Sequence, residues 1–472
     1  MVFSSLFFLY LFLPLCLIGY YAAKTIKQKN IVLIISSLVF YAWGEPVWVI
    51  LLLFSAFMNW GAAIIMDKLK EKWKKIVAGI AIIWDLAFLI VFKYTGFILE
   101  NVNAVTGLDL AIPTIVMPIG ISFFTFQAIS YIMDCLWGTV PPQKSCLNFL
   151  LYLSLFPQLV AGPIVRYSVI ANEIEDRKIR ANDVSDGAMR VIIGLSKKVI
   201  IANSLYSIVE QFFGSDITNL SFLGTWYTVI AYSLYVYFDF SGYSDMAIGL
   251  GQMFGFHFNE NFNYPFICKT ISEFWQRWHI SLSSFFRDYL FYMPIFGQPR
   301  KYLNLFLVWF CTGMWHGASW NFILWGLYFG IFIFIETLIG KKKMKKWNKV
   351  LTHLYSKFII IIGFGIFYFT DFGQLGRFFL NITGISMISN QNSFSDVVTR
   401  DSFIGNIFLI LFAIIVSMPI IPKIKYFFFK WGNNTVYAVG KIGGAVICCI
   451  LLVISSILLV DNTNNPFLYF RF

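Results

Sequence analysis

Long apolar stretches recur along the chain and alternate with short polar connections. Stretches of roughly 20 apolar residues are typical of helices that cross a lipid bilayer. By this criterion the sequence predicts about eleven transmembrane helices, at residues 2–22, 30–43, 47–66, 76–99, 114–137, 221–238, 301–315, 319–339, 354–370, 403–422 and 434–460. We expect the first to be a retained helix, because it lacks the basic leader and small-residue cleavage site of a signal peptide.

Further stretches are apolar but are interrupted by proline, glycine or charge, at residues 147–165, 186–212, 240–257 and 264–291. We expect re-entrant or interfacial helices among them. The stretch 147–165 contains Pro157, Gly162 and Pro163, and basic residues stand on both sides of it. Irregular backbone at membrane depth is tolerated only where protein or a cavity surrounds it. This stretch is therefore predicted not to cross the bilayer.

The composition supports a membrane protein. The 472 residues are 58% hydrophobic and 13% charged, with a mean hydropathy of +0.72. Average soluble proteins are about 45–50% apolar and about 25% charged. A soluble domain could not cover so much apolar surface with so few charges. The composition excludes a soluble enzyme, a disordered chain and a DNA-binding protein, and it predicts an all-α polytopic membrane protein with one membrane domain spanning 1–472.

The net charge of +12 does not indicate nucleic-acid binding, because the basic residues form short clusters between apolar stretches, at 24–29, 68–75, 341–349 and 423–430. Such clusters are typical of the cytoplasmic ends of membrane helices. Counting them predicts a multi-pass protein of the cytoplasmic membrane, surrounded by lipid, with both termini outside the cytosol. Residues 461–472 then form an extracytoplasmic tail.

Two of the four histidines lie in strongly apolar surroundings. His316 stands in the stretch 312–320 and His279 in the stretch 274–281. Ionisable groups at membrane depth are costly, so they are candidates for function. A neutral imidazole is also the usual proton acceptor for a hydroxyl nucleophile. A neutral, hydrogen-bonded histidine inside a helix bundle is the alternative. The histidine spacing does not favour a metal site.

Charged residues near His279 form a second group of candidates. Glu273 and Arg277 are four residues apart and are predicted to pair along one face of a helix. The aromatic residues around them are typical of a helix that lies at the membrane interface or lines a wet cavity. Asp239, within another apolar stretch, is either a buried hydrogen-bonded carboxylate or a catalytic one.

Five strings resemble the membrane-bound O-acyltransferase family, in the branch that contains alginate O-acetyltransferase subunit I and the integral-membrane peptidoglycan O-acetylation proteins. They are LFPQLVAGPIVRY (155–167), YFDFSGYSDMAIGLGQMFGF (237–256), NFNYPF (261–266), ISEFWQRWHISLSSFFRDYL (271–290) and TGMWHGASWNFILWGLY (312–328). The resemblance implies a helix bundle around a through-membrane tunnel. A thioester donor, expected to be acetyl-CoA, enters from the cytosol, and the acceptor hydroxyl enters from the other face. No bound cofactor is implied.

The resemblance also implies roles for individual residues. His316 corresponds to the essential histidine and His279 to the second functional position. We expect His316 to accept the proton of the acceptor hydroxyl, and His279 to orient the acceptor or to support the oxyanion. Trp315 and Asn321, in the same string as His316, are expected to support the site.

The last residues of the chain suggest an acyl carrier. The spacing of Phe467, Tyr469 and Phe472 resembles a terminal motif of envelope-acylation systems. A phenol, with a pKa near 10, is more easily activated than a sugar hydroxyl and is a better leaving group in the next transfer. We therefore expect Tyr469 to carry the acetyl group transiently. The alternative is an aromatic anchor at the membrane interface.

The sequence thus predicts an O-acetyltransferase that relays acetyl across the membrane for O-acetylation of a cell-surface polysaccharide. An SGNH-type O-acetyltransferase outside the cytosol is the expected partner. Two alternatives stay open. One is D-alanyl transfer to teichoic acids from a carrier-protein thioester, and the other is a transporter without covalent chemistry.

Overall fold

A computed structural model of the chain describes residues 1–461 apart from 295–296, 299, 389–391 and 432–433. The regular secondary structure of these residues is helical, and no β-strand occurs among them. The chain forms two compact units. Unit 1 comprises Met1–Val191 and Tyr243–Glu260, and unit 2 comprises Ile192–Gly242 and Asn261–Phe472.

The first part of the chain forms nine α-helices after a short π-helical segment, Phe8–Phe12. They are α1 Leu13–Ala22, α2 Ile26–Gly44, α3 Val49–Asp67, α4 Glu71–Thr106, α5 Ile121–Leu136, α6 Cys146–Ser154, α7 Phe156–Leu159, α8 Tyr167–Glu175 and α9 Ala181–Ser196. Helix α2 is longer than its apolar stretch because Thr25 and Gln28 form a capping box that adds a polar first turn.

The predicted stretch 147–165 does not form a crossing helix. Helices α6 and α7 have nine and four residues, and the chain turns between them at Leu155. A nine-residue helix is too short to cross a hydrocarbon core about 30 Å thick. Both helices are largely buried inside unit 1, which satisfies the condition that irregular backbone be surrounded by protein.

The remainder of the chain contains the other α-helices, together with two π-helical segments, Lys197–Ala202 and Arg287–Phe291, and a 3₁₀ turn at Pro265–Ile267. The α-helices are α10 Asn203–Phe213, α11 Phe222–Met253, α12 Ile271–Arg277, α13 Ile280–Phe286, α14 Lys301–His316, α15 Trp320–Ile339, α16 Lys341–Met344, α17 Lys349–Tyr368, α18 Phe372–Thr383, α19 Ile385–Ile388, α20 Val397–Val416, α21 Ile420–Trp431 and α22 Asn434–Asp461.

Two of the interrupted apolar stretches lie within long helices. The stretch 186–212 lies in a continuous helix, Ala181–Phe213, and α11 continues through most of 240–257. The glycines in these stretches permit close packing rather than breaking the helix. A Cβ on Gly187 would lie 2.7 Å from the carbonyl oxygen of Gly249, and one on Gly242 would lie 2.7 Å from that of Gly194. Small residues at such positions let membrane helices approach closely.

Every predicted crossing coincides with a helix, but the number of eleven is not confirmed. In the described part of the chain, seven helices are long and apolar enough to cross a membrane. They are Val49–Asp67, Glu71–Thr106, Ala181–Phe213, Trp320–Ile339, Lys349–Tyr368, Val397–Val416 and Val439–Val460. The predicted crossings at 114–137 and 301–315 form α5 and α14, which have 16 residues each. The multi-pass helical architecture is confirmed.

Candidate active site

A cavity lies within unit 2 and contains both candidate histidines in its wall. It is lined by Val236, Phe240, Phe274, Trp275, Trp278, His279, His316, Trp325, Phe329, Phe364 and Phe367. Apart from the two imidazoles and the indole N–H groups, this lining is apolar. A small apolar cavity with a few polar atoms is typical of a site for a small ligand or reacting group.

His279 is held in an unusual backbone conformation between α12 and α13. Its φ of 42° and ψ of 55° lie in the left-handed region, which is uncommon for residues other than glycine. The side chain is only 1% exposed. The backbone after His279 is held in place, because the Ile280 N–H donates to the carbonyl oxygen of Asn261 at 2.9 Å. Such strain persists only where the surrounding structure enforces it, and it occurs often at active sites.

Asn261 determines which nitrogen of His279 carries the hydrogen. Its Oδ1 accepts hydrogen bonds from the Ser281 N–H at 3.2 Å and the Ser281 hydroxyl at 2.8 Å. A backbone N–H can only donate, so the Asn261 atom in this position is the oxygen. His279 Nδ1 lies 3.1 Å from the same oxygen and therefore donates to it. Nε2 is then the nitrogen of the neutral ring that can accept a proton or a hydrogen bond.

His316 ends helix α14, and its imidazole packs edge-on against aromatic rings. The ring centroid lies 4.7 Å from that of Trp325 and 5.1 Å from that of Phe367. Helix α14 approaches α15 closely at Gly313, where a Cβ would lie 2.4 Å from the carbonyl oxygen of Phe322. This close approach brings the His316 end of α14 against the helix that carries Trp325.

Trp315 and Asn321, the two residues expected to support the site, have different contacts. The Trp315 ring is 5.6 Å from His279 and 4.8 Å from His316 between ring centroids, so it contacts both imidazoles. Asn321 does not line the cavity. Its Nδ2 donates to the carbonyl oxygens of Ile366 and Phe367 at 3.3 and 3.4 Å. It therefore ties α15 to α17, which carries one of the rings around His316.

The predicted pairing of Glu273 with Arg277 is confirmed, with Arg277 Nε 3.0 Å from Glu273 Oε1. Neither residue lines the cavity. Arg277 also donates from Nη1 to the carbonyl oxygen of Asn263 at 3.2 Å, and the Asn263 N–H donates back to Arg277 O at 2.9 Å. The pair thus holds the loop that begins at Asn261 against α12, and its contact with the site is indirect.

Asp239 is fully buried and pairs with Lys198, whose Nζ lies 2.6 Å from Oδ1. Lys198 belongs to the π-helical segment between α9 and α10. Burying one charge without its partner is strongly unfavourable. This ion pair favours the alternative of a buried structural carboxylate over a catalytic one, and Asp239 is not part of the cavity lining.

Several residues of the site region were missed by the sequence analysis. Glu336 is buried in α15 and accepts hydrogen bonds from the N–H groups of Ile271 and Ser272 and from the Ser272 hydroxyl, at 2.6, 2.8 and 2.6 Å. It thereby fixes the start of α12. The sequence does contain a signal for this residue, because Glu336 is the one acidic residue in the apolar stretch 319–339. Asn261 stands in a quoted string, but nothing local connects it to His279.

Tyr469 lies outside the described residues. Within those residues, no group of three or more His, Cys, Asp or Glu side chains has the arrangement of a metal site.

Comparison with known proteins gives consistent matches. The family model of the membrane-bound O-acyltransferase family matches residues 142–370, which include both cavity histidines. The chain is 40% identical over 384 residues to a protein of Azotobacter vinelandii named "Probable alginate O-acetylase AlgI", covering 78% of this chain and 75% of that protein. It is 35% identical over 368 residues to the peptidoglycan O-acetyltransferase of Helicobacter pylori, covering 70% and 69%. It is 32% identical over 272 residues to the teichoic acid D-alanyltransferase of Bacillus subtilis, covering 53% and 68%.

Proposed function

Because the chain belongs to the membrane-bound O-acyltransferase family and is therefore an acyltransferase, we propose that it takes acetyl from cytosolic acetyl-CoA for O-acetylation of a cell-surface polysaccharide. The substrate class is supported by relatives named for alginate and for peptidoglycan, which match the chain over at least two thirds of its length. The observation that carries the proposal is the apolar cavity whose wall contains both His279 and His316.

In the proposed reaction His316 is the general base. An acceptor hydroxyl attacks the carbonyl carbon of the thioester, and His316 takes the hydroxyl proton as the carbon–oxygen bond forms. The tetrahedral intermediate then expels the thiolate, which takes the proton from His316. The aromatic rings packed around the imidazole exclude water from the reacting groups.

His279 orients the acceptor in this proposal. Its Nδ1–H is engaged with Asn261, so the neutral ring presents an acceptor nitrogen at Nε2. An acceptor nitrogen can receive a hydrogen bond from a hydroxyl, but it cannot stabilise an oxyanion. Of the two roles expected from the sequence, acceptor orientation fits this hydrogen-bond arrangement.

The final part of the proposal concerns Tyr469. We propose that its phenol receives acetyl from the donor and passes it to an SGNH-type transferase outside the cytosol, with both chain termini on that side of the cytoplasmic membrane. Acetyl-tyrosine in the C-terminal peptide, detected by mass spectrometry after incubation with acetyl-CoA, would support the relay. Full polysaccharide acetylation by Tyr469→Phe would contradict it.

The central test replaces the proposed base. His316→Ala, expressed to the wild-type level in membranes, is expected to abolish acetyl transfer from radiolabelled acetyl-CoA. His353→Ala is the matched control, because His353 is a half-buried histidine of α17 that does not line the cavity. An active His316→Ala protein would reject the assignment.

The same assay separates the two alternatives. Transfer from a D-alanyl carrier protein but not from acetyl-CoA would indicate the teichoic acid reaction, which is the activity named for a relative that matches 53% of the chain. A pure transporter would move its substrate without radiolabel ever appearing on the protein or on an acceptor.

A further inference from the structure

Two tryptophans in the cavity wall have buried indole N–H groups without an acceptor. Trp275 is 6% exposed and Trp325 is 4% exposed, and both residues line the cavity. In the described part of the chain, neither Nε1 has a hydrogen-bond partner. Buried tryptophan N–H groups usually find a partner, because leaving a donor unsatisfied away from water is costly. Two such donors in one cavity indicate that a ligand supplies the acceptor.

The two donors belong to rigidly packed rings beside the proposed base. The Trp275 and Trp325 ring centroids are 5.4 Å apart, and the ring planes are nearly perpendicular, at 80°. Trp325 packs against His316 at 4.7 Å, as described above. Trp275 is held by Trp309 at 4.8 Å and Phe329 at 5.1 Å. The rings therefore have little freedom to turn their N–H groups towards other partners.

The chemistry of the cavity restricts what the acceptor can be. The lining offers no cationic side chain and is otherwise aromatic or aliphatic, which disfavours a charged ligand in the ground state. An uncharged carbonyl oxygen on a small apolar group fits both the donors and the walls. His279 and His316, as proposed above, act on the hydroxyl, so the proposed reaction still lacks a group that stabilises negative charge on the carbonyl oxygen.

We propose that the indole N–H groups of Trp275 and Trp325 hold the carbonyl oxygen of the transferred acyl group and stabilise the oxyanion. This inference rests on the proposed function. When the hydroxyl oxygen bonds to the carbonyl carbon, the carbonyl π electrons move onto this oxygen. When the carbon–sulfur bond breaks, those electrons return and the thiolate leaves. The hydrogen bonds strengthen as the charge develops, which lowers the barrier.

A binding experiment tests the donors without requiring turnover. Purified full-length protein is titrated with two unreactive analogues of acetyl-CoA. One replaces the sulfur by CH₂ and keeps the carbonyl, and the other is ethyl-CoA, which keeps the sulfur and lacks the carbonyl. The wild type is expected to bind the ketone on the order of tenfold more tightly than ethyl-CoA. Trp275→Phe and Trp325→Phe are expected to lose this preference and to keep their affinity for ethyl-CoA.

The matched control is Trp226→Phe. Trp226 is a half-buried tryptophan of α11 that does not line the cavity, and its Nε1–H donates to the carbonyl oxygen of Ile382 at 3.1 Å, so this variant is expected to keep the preference. Replacing Trp275 or Trp325 by benzothienylalanine, which keeps the bicyclic shape and lacks the N–H, guards against loss of packing. In turnover assays each loss is expected to lower kcat roughly 100-fold and to raise KM by up to about tenfold, because the hydrogen bonds to the ground-state carbonyl are lost as well.

The outcomes separate this inference from the proposed function. If the N–H groups only hold water, every variant will keep the wild-type preference for the ketone, and the inference is overturned while acetyl transfer still depends on His316. If the wild type binds neither analogue and uses no acetyl-CoA, the proposed function fails and the inference fails with it.

Discussion

Two buried polar clusters, one in each unit, show how differently the chain uses polar groups away from water. In unit 1, Arg177 donates from Nε to the Tyr20 hydroxyl at 2.9 Å and to the Phe254 carbonyl at 3.1 Å, and from Nη1 to Asn30 Oδ1 at 2.7 Å. In unit 2, Asn261 holds His279 at the wall of a cavity. Both centres are almost fully buried.

The difference lies in whether the cluster lines the cavity. The guanidinium joins α1, α2 and the segment after α11, and it also stacks over the Phe256 ring at 4.6 Å. Its Nη2 has no hydrogen-bond partner among the described residues, but Arg177 does not line the cavity, and its other contacts are those of a structural crosslink. The His279 cluster combines a cavity, a left-handed histidine and nearby donors without acceptors. Burial of polar groups alone therefore does not identify a site in this protein.

The largest expected effect is on the Arg177 cluster. Arg177→Met removes a charged donor from three buried acceptors, and hydrogen bonds to charged groups contribute about 1.5–3 kcal/mol each. We expect the variant to lose several kcal/mol of stability, measured as a lower melting temperature and a smaller folded yield in detergent. Arg400→Met, at an exposed surface pair, is the control. If Arg177→Met has the melting temperature and folded yield of the wild type, Arg177 is not a structural crosslink.

The second-largest effect is expected at the cluster of Asn261 and His279, and it is a loss of activity. Asn261→Leu removes the acceptor that fixes the His279 ring, so the proton-accepting nitrogen is no longer directed. We expect kcat to fall roughly 100-fold, since orienting groups behind a catalytic histidine contribute at least this much. The melting temperature is expected to fall less than in Arg177→Met, because the donors left unpaired are uncharged. Asn261→Asp keeps an oxygen acceptor for Ser281 and His279 and is expected to recover most of the rate. Equal loss in both variants would contradict the orienting role.

A smaller effect is expected at Glu336. In Glu336→Gln, an amide NH₂ replaces one of the two oxygens that accept hydrogen bonds from the first turn of α12. The NH₂ group then faces a backbone N–H, and no hydrogen bond can form between two donors. We expect kcat to fall about tenfold through displacement of α12, which corresponds to about 1.4 kcal/mol. Thr337→Val, at the adjacent position, is the control, because its hydroxyl donates to the carbonyl oxygen of Ile333 in the same helix at 2.8 Å. Unchanged kcat in Glu336→Gln would show that α12 needs no such support.

The smallest effect is expected at the Glu273–Arg277 pair. Both side chains remain partly exposed, at 31% and 26%. Pairs at such positions contribute about 0–1 kcal/mol. Glu273→Gln is therefore expected to change the melting temperature by no more than a few degrees and kcat by less than threefold. A loss as large as that of Asn261→Leu would place the pair within the site itself.

Local patterns predicted the helices and identified His279 and His316 as buried candidates. The other contacts of the candidate site depend on tertiary structure. Apolar length predicts a helix well, and a four-residue spacing predicts the Glu273–Arg277 pair. The contact between Asn261 and His279 spans 18 residues and a left-handed turn, and that between Lys198 and Asp239 joins separate helices. No local pattern indicates either. A sequence also does not show whether a glycine bends a helix or, as in α9 and α11, allows a neighbouring helix to pack closely.

The backbone at position 279 has a consequence for which substitutions are tolerated there. A φ of 42° imposes a steric cost on most side chains that glycine avoids and asparagine partly avoids. His279→Ala therefore combines loss of the imidazole with conformational strain, and His279→Gly removes the imidazole alone. Imidazole added to the medium should restore more activity to the glycine variant than to the alanine variant. In a saturation library at this codon, abundance in the membrane should be highest for glycine and asparagine, whatever their catalytic competence.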